Sequence, residues 1–399
     1  MRVCLTEIHA WPRVVALALF FLLLTPLISP VAAEWEEDSW LVNIIGPERL
    51  AMGDEFGCHG IPDKDVRIEQ EAIKECRDYL TQRTNASKWG GEPLSFGLPD
   101  GDVESITIDA VRSQNFLAIG HNELESVAYP EMRMFNFSGG SLEKSIGSVT
   151  QFNEAKNSGA EIINLYWQAR NHDVVVRPDS ELVSAIESTE AWFTTWGEYT
   201  SYHLIQKEFV SSDIGNETIS VEFEPYSEIS QAWYVPTTNV LTGFSGDVVM
   251  VYGDSGMLIE LDAEEPHLQE GWRQEGDSLF LTLMPNNPVF VQFDANPSFN
   301  STSIEKAGFN GHDVAITVTG IHTDDLFDWS RRWDDTPMRF TWLVEPREVL
   351  QFGWFLPTIA VLLALAAPVG IIWLVKNDRR AQQAVSVLNS LDNLSFAEE

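Results

Sequence analysis

The chain has 399 residues, with 60 Asp and Glu against 25 Lys and Arg, a formal net charge of −35. A surface this negative repels nucleic acid and anionic lipid, so nucleic-acid binding is excluded. Disorder is excluded too, because 44% of the residues are hydrophobic and 14 Trp and 22 Phe supply ample core material.

At the N-terminus, Arg2 and Arg13 precede an apolar run from Val14 to Leu24. A spanning helix needs about 20 apolar residues, and this run is shorter. It ends in Pro26, Pro30 and the small-residue sequence Val31-Ala32-Ala33. Residues 1–33 are therefore expected to be a signal peptide cleaved after Ala33.

Residues 34–100 read as a helical and loop segment. Cys4 leaves with the leader, and Cys58 and Cys76 remain as a pair. On the outer side of a membrane they are expected to form a disulfide. A helix is expected over Asp65–Arg83, with Ile68, Ala72, Cys76 and Tyr79/Leu80 on one face. Zinc held by these cysteines and His59 would need a fourth ligand.

Residues 101–200 read as a first β-rich region with a helix. Period-two runs at Ser105–Val111, Asn115–Ile119, Arg133–Phe137, Glu161–Trp167 and Asp173–Arg177 are expected as strands, and Ser180–Trp196 as a helix stopped by Gly197. Residues 201–351 read as a membrane-proximal β-sandwich of nine strands: Tyr202–Phe209, Thr218–Phe223, Gln231–Val235, Asp247–Tyr252, Met257–Leu261, Ser278–Leu283, Pro288–Phe293, His312–Val318 and Met338–Val344. The expected fold class is mainly β (α+β overall): an antiparallel β-sandwich-type ectodomain with an N-terminal disulfide-clamped helix and one C-terminal transmembrane helix.

That last helix is expected over 352–375, an uncharged run bordered by Trp354 and Trp373. Lys376, Arg379 and Arg380 follow at once, which marks 376–399 as a cytoplasmic tail and places the rest outside. In the tail, Ala381, Ala384, Val385, Leu388 and Leu391 recur at helical spacing.

Two strings imitate catalytic motifs. Gly253-Asp254-Ser255-Gly256 has the letters around a serine-protease nucleophile, and Gly276-Asp277-Ser278-Leu279 those of an esterase family. Neither has the surrounding triad partners, and Gly, Asp and Ser are what a β-turn selects, so both are expected to be turns. The histidines after the leader, His59, His121, His172, His203, His267, His312 and His322, form no zinc-binding spacing.

Carboxylates cluster at Asp100, Asp102 and Glu104 and again at Asp324, Asp325, Asp328, Asp334 and Asp335, where several oxygens could hold calcium, with Asp324, Asp325 and Asp328 the expected ligands of the second cluster. Calcium is the one cofactor that the sequence suggests. Trp35, Trp40, Trp329 and Trp333 lie among acidic residues and are expected to be exposed, as a sugar-binding platform requires. Sequons stand at Asn85, Asn136, Asn216 and Asn300. The expected partners are the lipid bilayer through the C-terminal helix, a protein of the cell envelope and a glycan ligand. The expected role is binding or assembly at the cell surface, with a membrane-tethered hydrolase as the alternative.

Overall fold

In a computed structural model the chain divides into two units, one spanning Glu37–Arg347 and one made of the residues before and after it. The structure describes Leu41 and residues 46–62, 64–121, 131–168, 170–171, 174–206, 210–214, 218–223, 231–294, 297–321, 333–346 and 355–395. The expected signal peptide therefore lies outside the described residues.

The larger unit begins with helix α1 (Gly46–Met52), strand β1 (Glu55–Cys58), α2 (Glu71–Arg83), β2 (Ser95–Gly97), α3 (Ser105–Ser113), β3 (Ala118–Gly120), β4 (Arg133–Phe135) and β5 (Gly140–Ser141). It continues through α4 (Val149–Asn157), β6 (Ile162–Gln168), the small pair β7 (Arg170–Asn171) and β8 (Val174–Val175), α5 (Ser180–Glu187), β9 (Trp192–Phe193) and α6 (Trp196–Ile205). An insertion follows: β10 (Val210–Ile214), β11 (Thr218–Phe223), β12 (Thr237–Ser245), β13 (Val248–Gly253), β14 (Gly256–Met257), β15 (Gly271–Glu275), β16 (Ser278–Leu283), β17 (Val289–Phe293) and β18 (Ser298–Lys306). The unit closes with β19 (Ala315–Ile321) and β20 (Phe340–Val344).

Nine of these strands form one sheet in the order β4-β3-β2-β1-β20-β19-β6-β5, with β9 beside β19. Every pairing within it is parallel. The molecule is thus α+β with a large parallel sheet, which overturns the expected antiparallel β-sandwich. Burial explains the correction: β1, β2, β3 and β20 are buried at every position, not at alternate ones. That pattern belongs to a sheet covered on both faces, which parallel crossover connections provide. Extended antiparallel pairing is confined to the insertion, where the sheets β10-β11-β17-β13-β14 and β15-β16-β12-β18 share a core that includes Ile219, Val251, Leu281 and Val291.

Several local expectations fail for identifiable reasons. Ser105–Val111 is the helix α3, whose buried positions Thr107, Ile108 and Val111 have helical spacing, while Ile106 is exposed. Ile68 is exposed ahead of α2, although Ala72, Cys76, Tyr79 and Leu80 of that helix are buried. The helix expected over 180–196 is two helices. Asp179 caps α5 by accepting from Glu181 N and Leu182 N at 3.0 Å, and α5 stops at Glu187. Thr195 then caps α6 by accepting from Glu198 N at 3.4 Å, so Tyr202–Ile205 is helical. Gly197 stands in the first turn of α6, where a Cβ would sit 2.7 Å from Glu55 Oε2 and overlap the Trp233 ring.

In the other unit, α7 (Phe355–Ser395) runs without interruption through Pro368 and into the tail. Its stretch Thr358–Val387 is, by length and composition, apolar enough to cross a membrane.

Candidate functional site

The strand order places a crevice in the parallel sheet. From β1 the chain steps outward through β2 and β3 to β4, whereas β5, β6, β19 and β20 occupy the other side. Connections therefore diverge between β1 and β20, and ligands of open parallel sheets bind at the carboxyl ends of strands at such a point.

A pocket of about 120 Å³ lies there. Its lining comes from the ends of successive strands: His59 follows β1, Gly97 ends β2, Gly120 ends β3 with His121 after it, Gln168 ends β6 and Ile321 ends β19. Leu343 of β20, Tyr166 of β6, Phe137 beyond β4 and Leu98 and Asp100 beyond β2 complete the wall. The site is built on strand ends and the first residues of the loops that follow them.

The polar groups have defined orientations. His59 Nδ1 donates to the Gly97 carbonyl at 2.9 Å and His121 Nε2 to the Pro99 carbonyl at 3.1 Å. A carbonyl can only accept, so in a neutral ring the proton sits on the bonded nitrogen. Arg67 Nη1 donates to the Asp100 carbonyl at 3.0 Å and thereby holds the turn that carries the Asp100 carboxylate. Phe137 and Tyr166 meet edge to face at 5.1 Å. The pocket thus combines polar side chains with aromatic surface.

The Cys58–Cys76 disulfide forms as expected and ties the end of β1 to α2, with 6.0 Å between the Cα atoms. His59 is the next residue, so the bridge holds one wall of the pocket.

At the opposite end of β1, two carboxylates are fully buried. Asp54 accepts from Arg49 Nε at 2.7 Å, Trp342 Nε1 at 2.8 Å and Phe340 N at 3.0 Å, locking α1 and β20 onto β1. Glu55 Oε2 accepts from Thr195 Oγ1 at 2.7 Å and Gly197 N at 2.8 Å, and Oε1 from Ser95 Oγ. Burial outweighs these donors and pushes the Glu55 carboxyl up to about 7.

Of the residues expected to bind calcium, Asp100 lines the pocket, while Asp102 and Glu104 are exposed on the same loop. Asp324, Asp325 and Asp328 lie outside the described residues. Among the described residues no group of three or more His, Cys, Asp or Glu is placed to hold a metal ion. Trp333 is a further correction: it is 4% exposed, packed against Trp167 at 5.2 Å and Phe340 at 5.0 Å. Trp35, Trp40 and Trp329 lie outside the described residues.

Both catalytic look-alikes are hairpin turns. Gly253 pairs with Gly256 around Asp254-Ser255, and Glu275 pairs with Ser278 around Gly276-Asp277. Gly276 has φ +61°, the conformation that favours glycine in such a turn. His267 and His312 bond to the carbonyls of Pro337 and Glu265, and His172 and His322 lie outside the described residues. Sequence reasoning missed the roles of His59 and His121, although each directly follows a short apolar run.

No family model, curated protein or solved structure matches this chain, so its function is argued from the geometry of the crevice alone.

Proposed function

We propose that this chain is a single-pass membrane protein whose α+β domain binds a small hydroxyl-rich ligand, a saccharide unit, in the crevice at the carboxyl ends of β1 and its neighbours. The observation that carries the reading is the convergence of His59, Asp100, His121, Tyr166 and Gln168 where the strand order reverses. Two imidazoles, a carboxylate and an amide side chain on one small wall are the polar groups that sugar hydroxyls pair with, and the rings of Phe137 and Tyr166 suit sugar C–H faces.

α7 is the membrane anchor in this reading, supported by its length, its apolar stretch and the basic residues after 375. The domain then faces the oxidising side, in keeping with the Cys58–Cys76 bridge.

The test is calorimetric titration of the full chain, purified in detergent, with a panel of mono- and disaccharides. At least one sugar binds, and Asp100→Asn and His121→Ala each weaken it tenfold or more. A panel without binding, or binding indifferent to both substitutions, refutes the sugar site. Protease protection of the tail in sealed vesicles tests the orientation separately.

A further inference from the structure

A second site, independent of the crevice, lies where α6 and β4 approach the end of β18. Two cavities, of about 270 Å³ and 350 Å³, share a wall made by His203, Gln206 and Lys306. Lys306 belongs to both, and the remaining charges are divided between them. Arg133 and Lys306 line the first, whose one acid, Glu131, is ion-paired with Arg112. Glu161 and Asp313 line the second.

Three unmet polar groups point to a ligand. The Arg133 guanidinium lies 5.0 Å over the Tyr199 ring and has no carboxylate partner among the described residues. The Tyr199 and Thr200 hydroxyls are buried without a hydrogen-bond partner, in residues only 1% and 2% exposed. Each residue lines one of the cavities. Buried hydroxyls are seldom left unpaired in a folded protein, because they have given up water for nothing. Glu161 and Arg133 both interact electrostatically with the Tyr199 hydroxyl.

A lone anion would meet Glu161 and Asp313 here, and a lone cation would meet Arg133 and Lys306. A zwitterion satisfies both. We propose that the paired cavities bind a free α-amino acid, its carboxylate on Arg133, Lys306 and the Thr200 hydroxyl, its ammonium between Glu161, Asp313 and the Tyr199 hydroxyl. The ring faces of Trp192 and Tyr199 add cation–π attraction for the ammonium.

The full chain in detergent is titrated with each of the standard amino acids, and with acetate and methylamine as half-ligands. At least one amino acid raises the melting midpoint and binds tenfold or more tightly than either half-ligand. Arg133→Ala weakens that binding at least tenfold, with an unliganded midpoint close to that of the parent. Lys306→Met serves as the second variant should Arg133→Ala fail to fold. The proposal is overturned if no amino acid binds, if acetate alone binds as tightly, or if a folded variant of either residue binds unchanged. Sugar binding in the crevice is read separately and does not bear on this result.

Discussion

Thr195 Oγ1 donates to Glu55 Oε2 at 2.7 Å, joining the first strand of the parallel sheet to the cap of its most buried helix across 140 residues of sequence. The same hydroxyl accepts from Glu198 N, so one side chain starts α6 and holds it against β1.

Glu55 sets a pH dependence whose sign is opposite to that of a salt-bridged carboxylate. Its pKa rises from an ordinary 4.5 to about 7 on folding, so between these values the folded state holds more protons than the unfolded. Stability contributed by the neutral carboxyl is complete below 4.5 and lost as pH climbs to 7, by roughly 3 kcal/mol. His267 acts the other way. Burial, with Arg339 and Lys88 nearby, lowers its pKa from 6.5 to about 4, so its contribution is present above 6.5 and lost as pH falls through 4. Denaturant melts of Glu55→Gln and His267→Gln from pH 4 to 7.5 separate the two. The first variant loses the decline toward neutral pH, the second the decline toward acid. Parallel profiles for parent and variants would contradict both assignments.

Asp54→Ala removes the closer carboxylate from the buried Arg49 guanidinium, leaving Asp334 at 3.4 Å, and strips acceptors from Trp342 Nε1 and Phe340 N. Loss of one partner of a buried pair costs about 3–5 kcal/mol. Urea unfolding of the variant checks this, and a loss under 1 kcal/mol would show that the network relaxes around the gap.

Reduction of Cys58–Cys76, or Cys76→Ser, opens a loop of separation 18 and lowers stability by about 3 kcal/mol. It also loosens His59. Sugar affinity measured with and without reductant, below the melting midpoint, should therefore fall on reduction. An unchanged affinity would uncouple the bridge from the crevice.

Calcium is expected to raise the melting midpoint of the full chain at fixed ionic strength, and chelation to reverse it, if the carboxylates around Asp324 hold the ion. Asp324→Asn then abolishes the shift, and an unchanged midpoint in the parent sinks the idea.

Much of the chemistry was legible before the fold was. Cys76 on the apolar stripe of α2 pointed to its bridge, and Gly276-Asp277 to its turn. The parallel sheet was not legible, because β2, β3 and β4 are three residues long and cannot display a period. Alternation then misled at Ile106 and Ile108, which lie on a helix. The start of α6 did carry a signal: Thr195 followed three residues later by Glu198 is the spacing of a helix-initiating cap. His59 and His121 meet only because β1, β2 and β3 run side by side in one direction, a relationship that no local pattern contains.

The pairing of Glu55 with Thr341 at the centre of the sheet has a consequence for synthesis. During translation β1 must wait for β20, which emerges only shortly before α7, while the insertion closes largely on near neighbours, such as β15 with β16. The antiparallel layers can therefore mature first, and the nascent α+β domain stays open along β1 until the ribosome has nearly reached α7. A chaperone on the nascent chain would meet a half-built sheet with its central strand β1 uncovered on one edge, and the last step of folding would wait for one of the last strands made.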